Sequence, residues 1–294
     1  MTITAIEAAS GGSPTQVAAL ESTGSLMRGA AWRLVRTLIS AVVSIVVIAF
    51  IWQVFLWIFK VDPFVGRTPG DIFRAVFTNP EAAETRRALF DASFITLRDA
   101  FFGLTAGLVV ALVAAVSFNL LRSVEQTVMP VAMVLQSVPL VALTPVVALI
   151  LGRGLATTTV LAGIVTFFPA LVNVNLALRS SPAASTDLMR AYGASKWVML
   201  KKVQMPNALP ALFASLRIAA PLAVIGALLA EWLATAQGLG YLMLQSMVNF
   251  SLDTLWAAGA LITIFSVILY NVVSAIEGIV LAKYAPDTLS ARKA

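Results

Sequence analysis

Residues Asp187 to Pro206 read DLMRAYGASKWVMLKKVQMP, a charged stretch between two long apolar runs. Ser185 or Thr186 can cap a helix whose first turn carries Asp187, a favourable place for a negative charge. Small residues gather around Gly193, so a turn there can lie close against another surface. Pro206 suits the first turn of the following helix. The stretch therefore predicts a helical knob between two apolar helices, and an ordinary basic loop is the alternative.

The composition of the chain indicates a membrane protein. Of its 294 residues, 60% are hydrophobic and 12% are charged, with a mean hydropathy of +0.92, whereas soluble domains carry about 25% charged residues. The sequence has no Cys and no His, which excludes disulfides and disfavours metal sites and hydrolytic catalysis. The net charge of +6 is more typical of cytoplasmic loops than of nucleic-acid binding. We therefore expect an all-α polytopic membrane protein that does not bind nucleic acid.

Long apolar runs predict six membrane-spanning helices of about the length that a bilayer requires. They cover Thr37–Phe59, Leu97–Phe118, Val128–Leu151, Leu155–Leu178, Ala208–Leu233 and Leu255–Leu281. Gly103 and Gly107 in the second run have the small-xxx-small spacing that lets another helix approach closely. The connection Lys60–Phe94 predicts either an amphipathic helix at the outer membrane face or a plain surface loop.

The distribution of basic residues predicts that both termini are cytoplasmic. In this orientation twelve Lys and Arg residues lie in inside segments and six in outside segments, five of the six in one long loop. Asp187–Pro206 is then cytoplasmic. The expected organisation is a disordered cytoplasmic tail over residues 1–30, the first span and an extracytoplasmic connection over 31–93, the membrane core over 94–284 and a second cytoplasmic tail over 285–294.

The spacing in the knob closely resembles the EAA loop of ATP-binding-cassette (ABC) importer permeases, whose consensus is E-A-A, three residues, G, nine residues and I-x-L-P. This chain has Asp187-Leu188-Met189, three residues, Gly193, nine residues and Val203-Gln204-Met205-Pro206. The glycine, the gap and the proline match, whereas Asp replaces Glu and Leu-Met replaces Ala-Ala. The sequence from Tyr192 to Leu233 and the later GLGYLM resemble type I permeases that serve sulfonate, taurine, nitrate and thiamine-precursor importers. With the six spans, the resemblance covers about residues 94–284.

The resemblance implies a non-catalytic permease subunit in a bacterial inner membrane, working by alternating access. Its EAA loop would be the coupling helix that docks on an ABC ATPase subunit, and Pro206 would begin the span that this loop moves. The docking contacts would come from Asp187, Arg190, Ala191, Tyr192, Gly193, Ala194 and Ser195. Two ATPase subunits, an extracytoplasmic substrate-binding protein and a second permease, expected to be a copy of this chain, would complete the importer.

ATP hydrolysis is expected on the partner subunit. A phosphate-binding Walker A loop requires G-x-x-x-x-G-K-[ST], and this chain contains no Gly-Lys pair. ATP and Mg²⁺ would therefore bind the ATPase, with no cofactor on this chain. Specificity in such importers rests largely with the binding protein, so sulfonates, taurine, nitrate and thiamine-precursor heterocycles all stay open as substrates.

Polar residues inside the third and fourth apolar runs are candidates for the translocation path. Such groups are costly in lipid and usually face the protein interior or a water-filled cavity. The candidates are Gln136, Ser137, Thr144, Thr166 and Asn173. Nearby prolines can bend the helices that line a pore, although they can also be tolerated kinks without a transport role.

Glu231, near the predicted outer end of the fifth run, is the clearest acidic candidate for a functional role. One interpretation is an interfacial carboxylate beside Trp232 as an aromatic belt residue. The other is support of an outer gate, through a hydrogen bond to the turn Gln237–Gly240. A secondary transporter is the alternative function, but it would require internal repeats and coupling-ion charges that the sequence does not clearly show. A membrane enzyme is disfavoured by the missing His and Cys.

Overall fold

The computed structural model describes residues 35–36 and 39–284, and every regular element in this part of the chain is helical. The predicted tails, residues 1–30 and 285–294, lie outside the described residues. The helices are α1 (Ile39–Ile58), α2 (Pro69–Phe77), α3 (Ala82–Leu120), α4 (Arg122–Gln136), α5 (Leu140–Leu151), α6 (Leu155–Arg179), α7 (Ala183–Ala191), α8 (Lys196–Met199), α9 (Met205–Ala230), α10 (Gly238–Val248) and α11 (Leu252–Tyr284). Short π-helical segments continue α8 over Leu200–Gln204 and α9 over Glu231–Thr235.

Five stretches of the described chain are long and apolar enough to cross a membrane, and a sixth is broken. The prediction of one continuous third span is wrong, because α4 and α5 meet at an angle of 104°. Val138 precedes Pro139, and a residue before proline is driven out of the α-helical region. Pro139 has φ −60° and ψ 122° and begins a new helix direction. The residues on both sides of this break are apolar, so the hydropathy of the run suggested one continuous span.

Helix α3 begins far before the predicted second span. Its 39 residues correspond to roughly 58 Å of helix, about twice the ~30 Å thickness of a hydrocarbon core. The apolar run starting at Leu97 marks only the part that lipid requires. The preceding turns, from Ala82, are polar and remain helical, so helix α3 occupies the last third of the predicted outer connection.

The outer connection also contains helix α2, so the plain-loop alternative is wrong. Thr68 and Asp71 form a capping box at its start: the Asp71 N–H donates to the Thr68 hydroxyl over 3.1 Å, and the Thr68 N–H donates to the Asp71 carboxylate over 3.0 Å. Hydrogen bonds from the Thr68 side chain and backbone hold the pKa of Asp71 below its usual 3.8. Helix α2 packs on α3 and α11.

The centre of the bundle is formed by α3, α6 and α9, which approach closely through small residues. A Cβ on Gly107 would lie 2.6 Å from the carbonyl oxygen of Gly163, and one on Gly226 would lie 2.6 Å from the Cα of Ala162. Gly103 also meets Ala162. The predicted close packing at Gly103 and Gly107 is thus confirmed. Together with Gly226, these glycines let the long helices α3 and α9 both pack closely against α6.

Candidate functional site

The segment Asp187–Pro206 forms the predicted helical knob, with a different beginning. Helix α7 starts at Ala183 after Pro182, so the predicted cap at Ser185 or Thr186 is wrong. Thr186 lies inside the helix and donates to the carbonyl of Ala183 over 2.8 Å. Asp187 is therefore beyond the first turn. The run Ser180-Ser181-Pro182 explains the earlier start, because proline favours the entry to a helix.

Gly193 ends the first helix of the knob in the left-handed conformation, with φ +71°. Its N–H donates to the carbonyl of Arg190 and the N–H of Ala194 donates to the carbonyl of Met189, both over 2.9 Å. This is the hydrogen-bonding pattern of a glycine helix terminus. Ser195 then caps α8 by accepting the N–H of Val198 over 3.4 Å.

The tip of the knob is exposed and has no partner in the described chain beyond its own residues. Tyr192 is 82% exposed and Trp197 59%. Asp187 and Arg190 form an exposed ion pair over 3.3 Å within one turn of α7. A Cβ on Gly193 would meet no atom within 4 Å. The surface on which docking residues were predicted is therefore free to contact another protein.

The base of the knob is fixed firmly to the bundle. Leu200 is only 2% exposed and belongs to a core cluster with Phe118 and Leu178. The Asn119 side chain donates to the Gln204 side chain over 2.6 Å. Pro206 lies in the first turn of α9, as predicted. The base of the knob is thus in packed contact with α3, α6 and α9.

A buried carboxylate lies at the opposite end of α9. Glu231 is completely buried, so its interpretation as an interfacial carboxylate is wrong; Trp232 beside it is 45% exposed. One Glu231 oxygen accepts the N–H of Gly240 over 2.7 Å, which is the predicted hydrogen bond to the Gln237–Gly240 turn. The same oxygen accepts the hydroxyl of Thr96 over 3.0 Å. We call Thr96, Glu231, Leu239 and Gly240 the outer cluster.

The outer cluster fixes the N-terminus of α10, a helix that the sequence did not predict. The Leu239 N–H donates to the Thr96 hydroxyl oxygen over 2.8 Å, so two of the unpaired N–H groups at this helix start are satisfied by other helices. A Cβ on Gly240 would lie 2.7 Å from the carbonyl oxygen of Leu228, so only glycine allows this approach. Helices α3, α9 and α10 are joined at one point.

A second buried acid, Asp99, lies one turn from Thr96 on α3. It accepts the Thr158 hydroxyl over 2.8 Å and pairs with Arg98 over 2.8 Å. Neither Thr96 nor Thr158 was predicted. Thr96 directly precedes the second apolar run and Thr158 lies in the fourth, and only their partners, 135 and 59 residues away, distinguish them from packing residues.

The candidate path residues divide into two groups. Thr144 and Thr166 are completely buried and donate to carbonyls of their own helices, over 3.0 Å to Leu140 and 3.1 Å to Ala162. Both side chains are buried within this protomer, and their contribution to a path stays a prediction. Gln136, Ser137 and Asn173 are exposed, and their contribution to a path stays a prediction. Among the described residues, no three His, Cys, Asp or Glu side chains are grouped to hold a metal ion.

Comparison with known proteins gives a consistent assignment. Residues 103–284 match the family described as binding-protein-dependent transport system inner membrane component. The chain is 30% identical to a probable ABC transporter permease protein of Haemophilus influenzae, over 76% of this chain and 89% of that protein. It is also 30% identical to the formylaminopyrimidine transport permease protein ThiX of Halalkalibacterium halodurans, over 60% of this chain and 73% of that protein.

The fold is similar to that of a chain from the inward-facing MetNI methionine ABC transporter. The TM-score is 0.54 with 22% identity, over 68% of this chain and 98% of that chain. At this identity the likeness shows the fold alone, which is the predicted type I importer fold. With the family match over residues 103–284, the chain belongs to the binding-protein-dependent transport system inner membrane components, as an ABC importer permease subunit.

Proposed function

We propose that this permease subunit is coupled to ATP hydrolysis through the tip of the knob Asp187–Pro206. The observation that carries the proposal is the contrast between the knob's tip and base. Tyr192 is 82% exposed at the tip, whereas Leu200 at the base is 2% exposed and packed in the core. A partner that binds this tip and changes its position also moves α9 and the helices packed on it. ATP and Mg²⁺ bind that partner, an ABC ATPase.

The proposed assembly contains two copies of this chain, two ATPase subunits and one extracytoplasmic binding protein. Exposed apolar side chains on α4 and α5 support pairing of the permease with a second copy in the membrane; they include Val131, Val134, Val141 and Leu149. Gln136, Ser137 and Asn173 then contribute to the path between the two copies. Both chain termini lie in the cytoplasm, as the distribution of basic residues indicates.

The outer cluster supports the gate in this proposal. Thr96, Glu231 and Gly240 join three helices at the end of the bundle opposite the knob. Because the cluster is buried and hydrogen-bonded, the end of α9, the start of α10 and the part of α3 around Thr96 move as one unit. If Glu231→Gln transports substrate and couples to ATP hydrolysis like the parent, the gate role is wrong.

The substrate is proposed to be a small solute delivered by the binding protein, with a thiamine-precursor-like heterocycle as the first candidate. The 30% identity to a formylaminopyrimidine permease supports this choice over sulfonate, taurine or nitrate. Arg98 and Arg217, which lie in α3 and α9, are both paired with acids, over 2.8 Å to Asp99 and 3.2 Å to Glu277. This pairing reduces the positive charge available to an anion. Binding of a metabolite panel to the partner binding protein, measured by calorimetry, tests the choice.

Co-purification tests the coupling proposal. Gly193→Glu is expected to abolish retention of the ATPase subunit by the purified permease, because a charged side chain then projects from the docking tip. Gly152→Glu is the matched control, since Gly152 also has a positive φ, +81°, and also has open space around it. We expect Gly152→Glu to retain the ATPase. Equal retention by both variants, or proton-driven uptake by the permease alone, would contradict the proposal.

A further inference from the structure

A large apolar groove opens between α1, α2, α3 and α11, away from the knob. Leu89 and Ala257 in its wall pack with Leu239 of the outer cluster. Its volume is about 1390 Å³, above the roughly 300–1,000 Å³ of ordinary small-molecule pockets. Its walls are aliphatic and aromatic, with Ile45 and Ile48 from α1, Phe73 and Phe77 from α2, Phe90 and Phe94 from α3, and Ile264 and Phe265 from α11.

The groove is a built feature, because two tryptophans close one side of it. The rings of Trp52 and Trp256 lie 4.7 Å apart. The Trp52 indole N–H donates to the carbonyl of Arg67 over 3.0 Å, and the Trp256 indole N–H donates to the carbonyl of Val65 over 2.8 Å. The polar edge of each ring is thus held by the connection before α2. Tryptophan in this arrangement is typical of the boundary between headgroups and hydrocarbon.

Charged residues of both signs stand on the α3 side of the groove. Arg86, Arg87 and Asp91 all line it and are exposed. Arg86 donates to the carbonyl of Val76 over 2.7 Å. Within the described residues, the side chains of Arg87 and Asp91 make no hydrogen bond or ion pair, although they lie one helical turn apart. A cationic and an anionic side chain are therefore both available beside the apolar walls.

We propose that this groove binds one phosphatidylethanolamine molecule from the surrounding leaflet. Its acyl chains fill the apolar groove, its phosphate pairs with Arg87 and its ammonium group pairs with Asp91. The headgroup matches the two charges, because it carries one anionic and one cationic group. An arginine fork is suited to phosphate oxygens.

The walls favour acyl chains over an extended polypeptide segment. A non-helical peptide backbone buried among Phe90, Phe94 and Ile264 would leave polar groups without partners, at a cost of several kcal/mol each. Acyl chains have no such groups. The position of α1 agrees, because Ile45 and Ile48 lie within the apolar run that crosses the membrane, so the groove reaches hydrocarbon depth.

Native mass spectrometry tests this proposal. The purified permease complex is equilibrated in nanodiscs that contain equal amounts of phosphatidylethanolamine and phosphatidylglycerol. The complex is then released from the nanodiscs, and the lipids that it retains are identified. The parent is expected to retain one phosphatidylethanolamine in preference to phosphatidylglycerol. Arg87→Gln should reduce retention of both lipids by about five-fold, as expected for one arginine near a phosphate. Asp91→Asn should remove only the preference, because phosphatidylglycerol has no ammonium group. Arg153→Gln, which removes an exposed arginine outside the groove, should change neither.

Two results would overturn the proposal. The first is equal lipid retention by the parent, Arg87→Gln and Arg153→Gln. The second is a disulfide-linked permease dimer formed through Phe90→Cys, which would place a second copy of the chain in the groove. The chain has no cysteine of its own, so any such dimer reports this position alone. Neither result bears on ATPase docking, which is at the knob.

Discussion

The segments before and after α9 carry similar residues in opposite surroundings. At one end Asp187 and Gly193 are exposed, the acid is paired only with Arg190 within its own helix, and the glycine has open space around it. At the other end Glu231 is buried and hydrogen-bonded, and Gly240 lies against the backbone of α9. An acid near a glycine turn is thus exposed for the proposed contact with another protein in one place and makes contacts within the chain in the other. The difference between the two acids is burial, because Glu231 is buried and Asp187 is exposed.

Loss of the buried acid should have the largest effect on stability. Glu231→Leu leaves the buried Gly240 N–H without its acceptor and leaves the Thr96 hydroxyl only the carbonyl of Ala92, a cost of about 3 kcal/mol. We expect the apparent Tm of the purified protein to fall by roughly 5–10 °C in differential scanning fluorimetry. Asp187→Leu, at the exposed end, should change the Tm by less than about 2 °C, as surface substitutions usually do. Equal losses in the two variants would remove the distinction between the ends.

The glycines provide a second, smaller contrast. Gly240→Ala places a Cβ 2.7 Å from the Leu228 carbonyl oxygen, and such overpacking costs about 1–3 kcal/mol. In Gly193→Ala the new Cβ contacts no other atom. The free energy of unfolding therefore falls only because alanine disfavours a positive φ, by about 1 kcal/mol. Urea unfolding followed by intrinsic fluorescence should therefore rank Gly240→Ala as the less stable variant. The reverse order would show that α10 is not tightly held.

Thr96 tests how α10 is held at its N-terminus. Thr96→Val keeps the shape of the side chain and removes the oxygen that accepts the Leu239 N–H, whereas Thr96→Ser keeps that oxygen. Hydrogen exchange at the Leu239 amide should accelerate by about ten-fold in Thr96→Val, corresponding to about 1.4 kcal/mol for one lost hydrogen bond. It should remain near the parent rate in Thr96→Ser. Unchanged exchange in Thr96→Val would show that the bond does not protect this amide.

The smallest expected effect is a pH dependence at α2. The pKa of Asp71 is lowered by its hydrogen bonds with Thr68, so the ionised carboxylate stabilises the helix above the usual pKa of 3.8. That stabilisation is lost as pH falls through the lower folded-state pKa. The difference in amide exchange of α2 between the parent and Asp71→Ala, expected to reflect about 1 kcal/mol near pH 6, should therefore shrink as the pH falls below 3.8. A difference that persists at low pH would contradict the capping role.

The sequence predicted the features that depend on local pattern. Apolar runs located the membrane helices, the spacing Asp187, Gly193 and Pro206 located the knob, and the acid before a glycine turn suggested the bond from Glu231 to Gly240. Each rests on residues within about twenty positions of one another. The family match over residues 103–284 agrees with the assignment.

The remaining features depend on contacts or backbone geometry that local pattern does not contain. Thr96 is 135 residues from Glu231, so their hydrogen bond has no sequence signal. Helix α10 spans only 11 residues, too few for the hydropathy of a membrane helix. The break at Pro139 was hidden because the apolar run continues through it. The complete burial of Thr166 beside Gly107 also comes from a distant helix and has no sequence signal.

Site-specific photo-crosslinking tests the central claim most directly. A photoreactive amino acid at Tyr192, which is 82% exposed on the knob, is compared with the same group at Phe250, which is 73% exposed between α10 and α11. In membranes containing the complete importer, we predict an adduct with the ATPase subunit from Tyr192 and none from Phe250. Absence of the ATPase adduct at Tyr192, or its formation at Phe250, would contradict coupling through the knob.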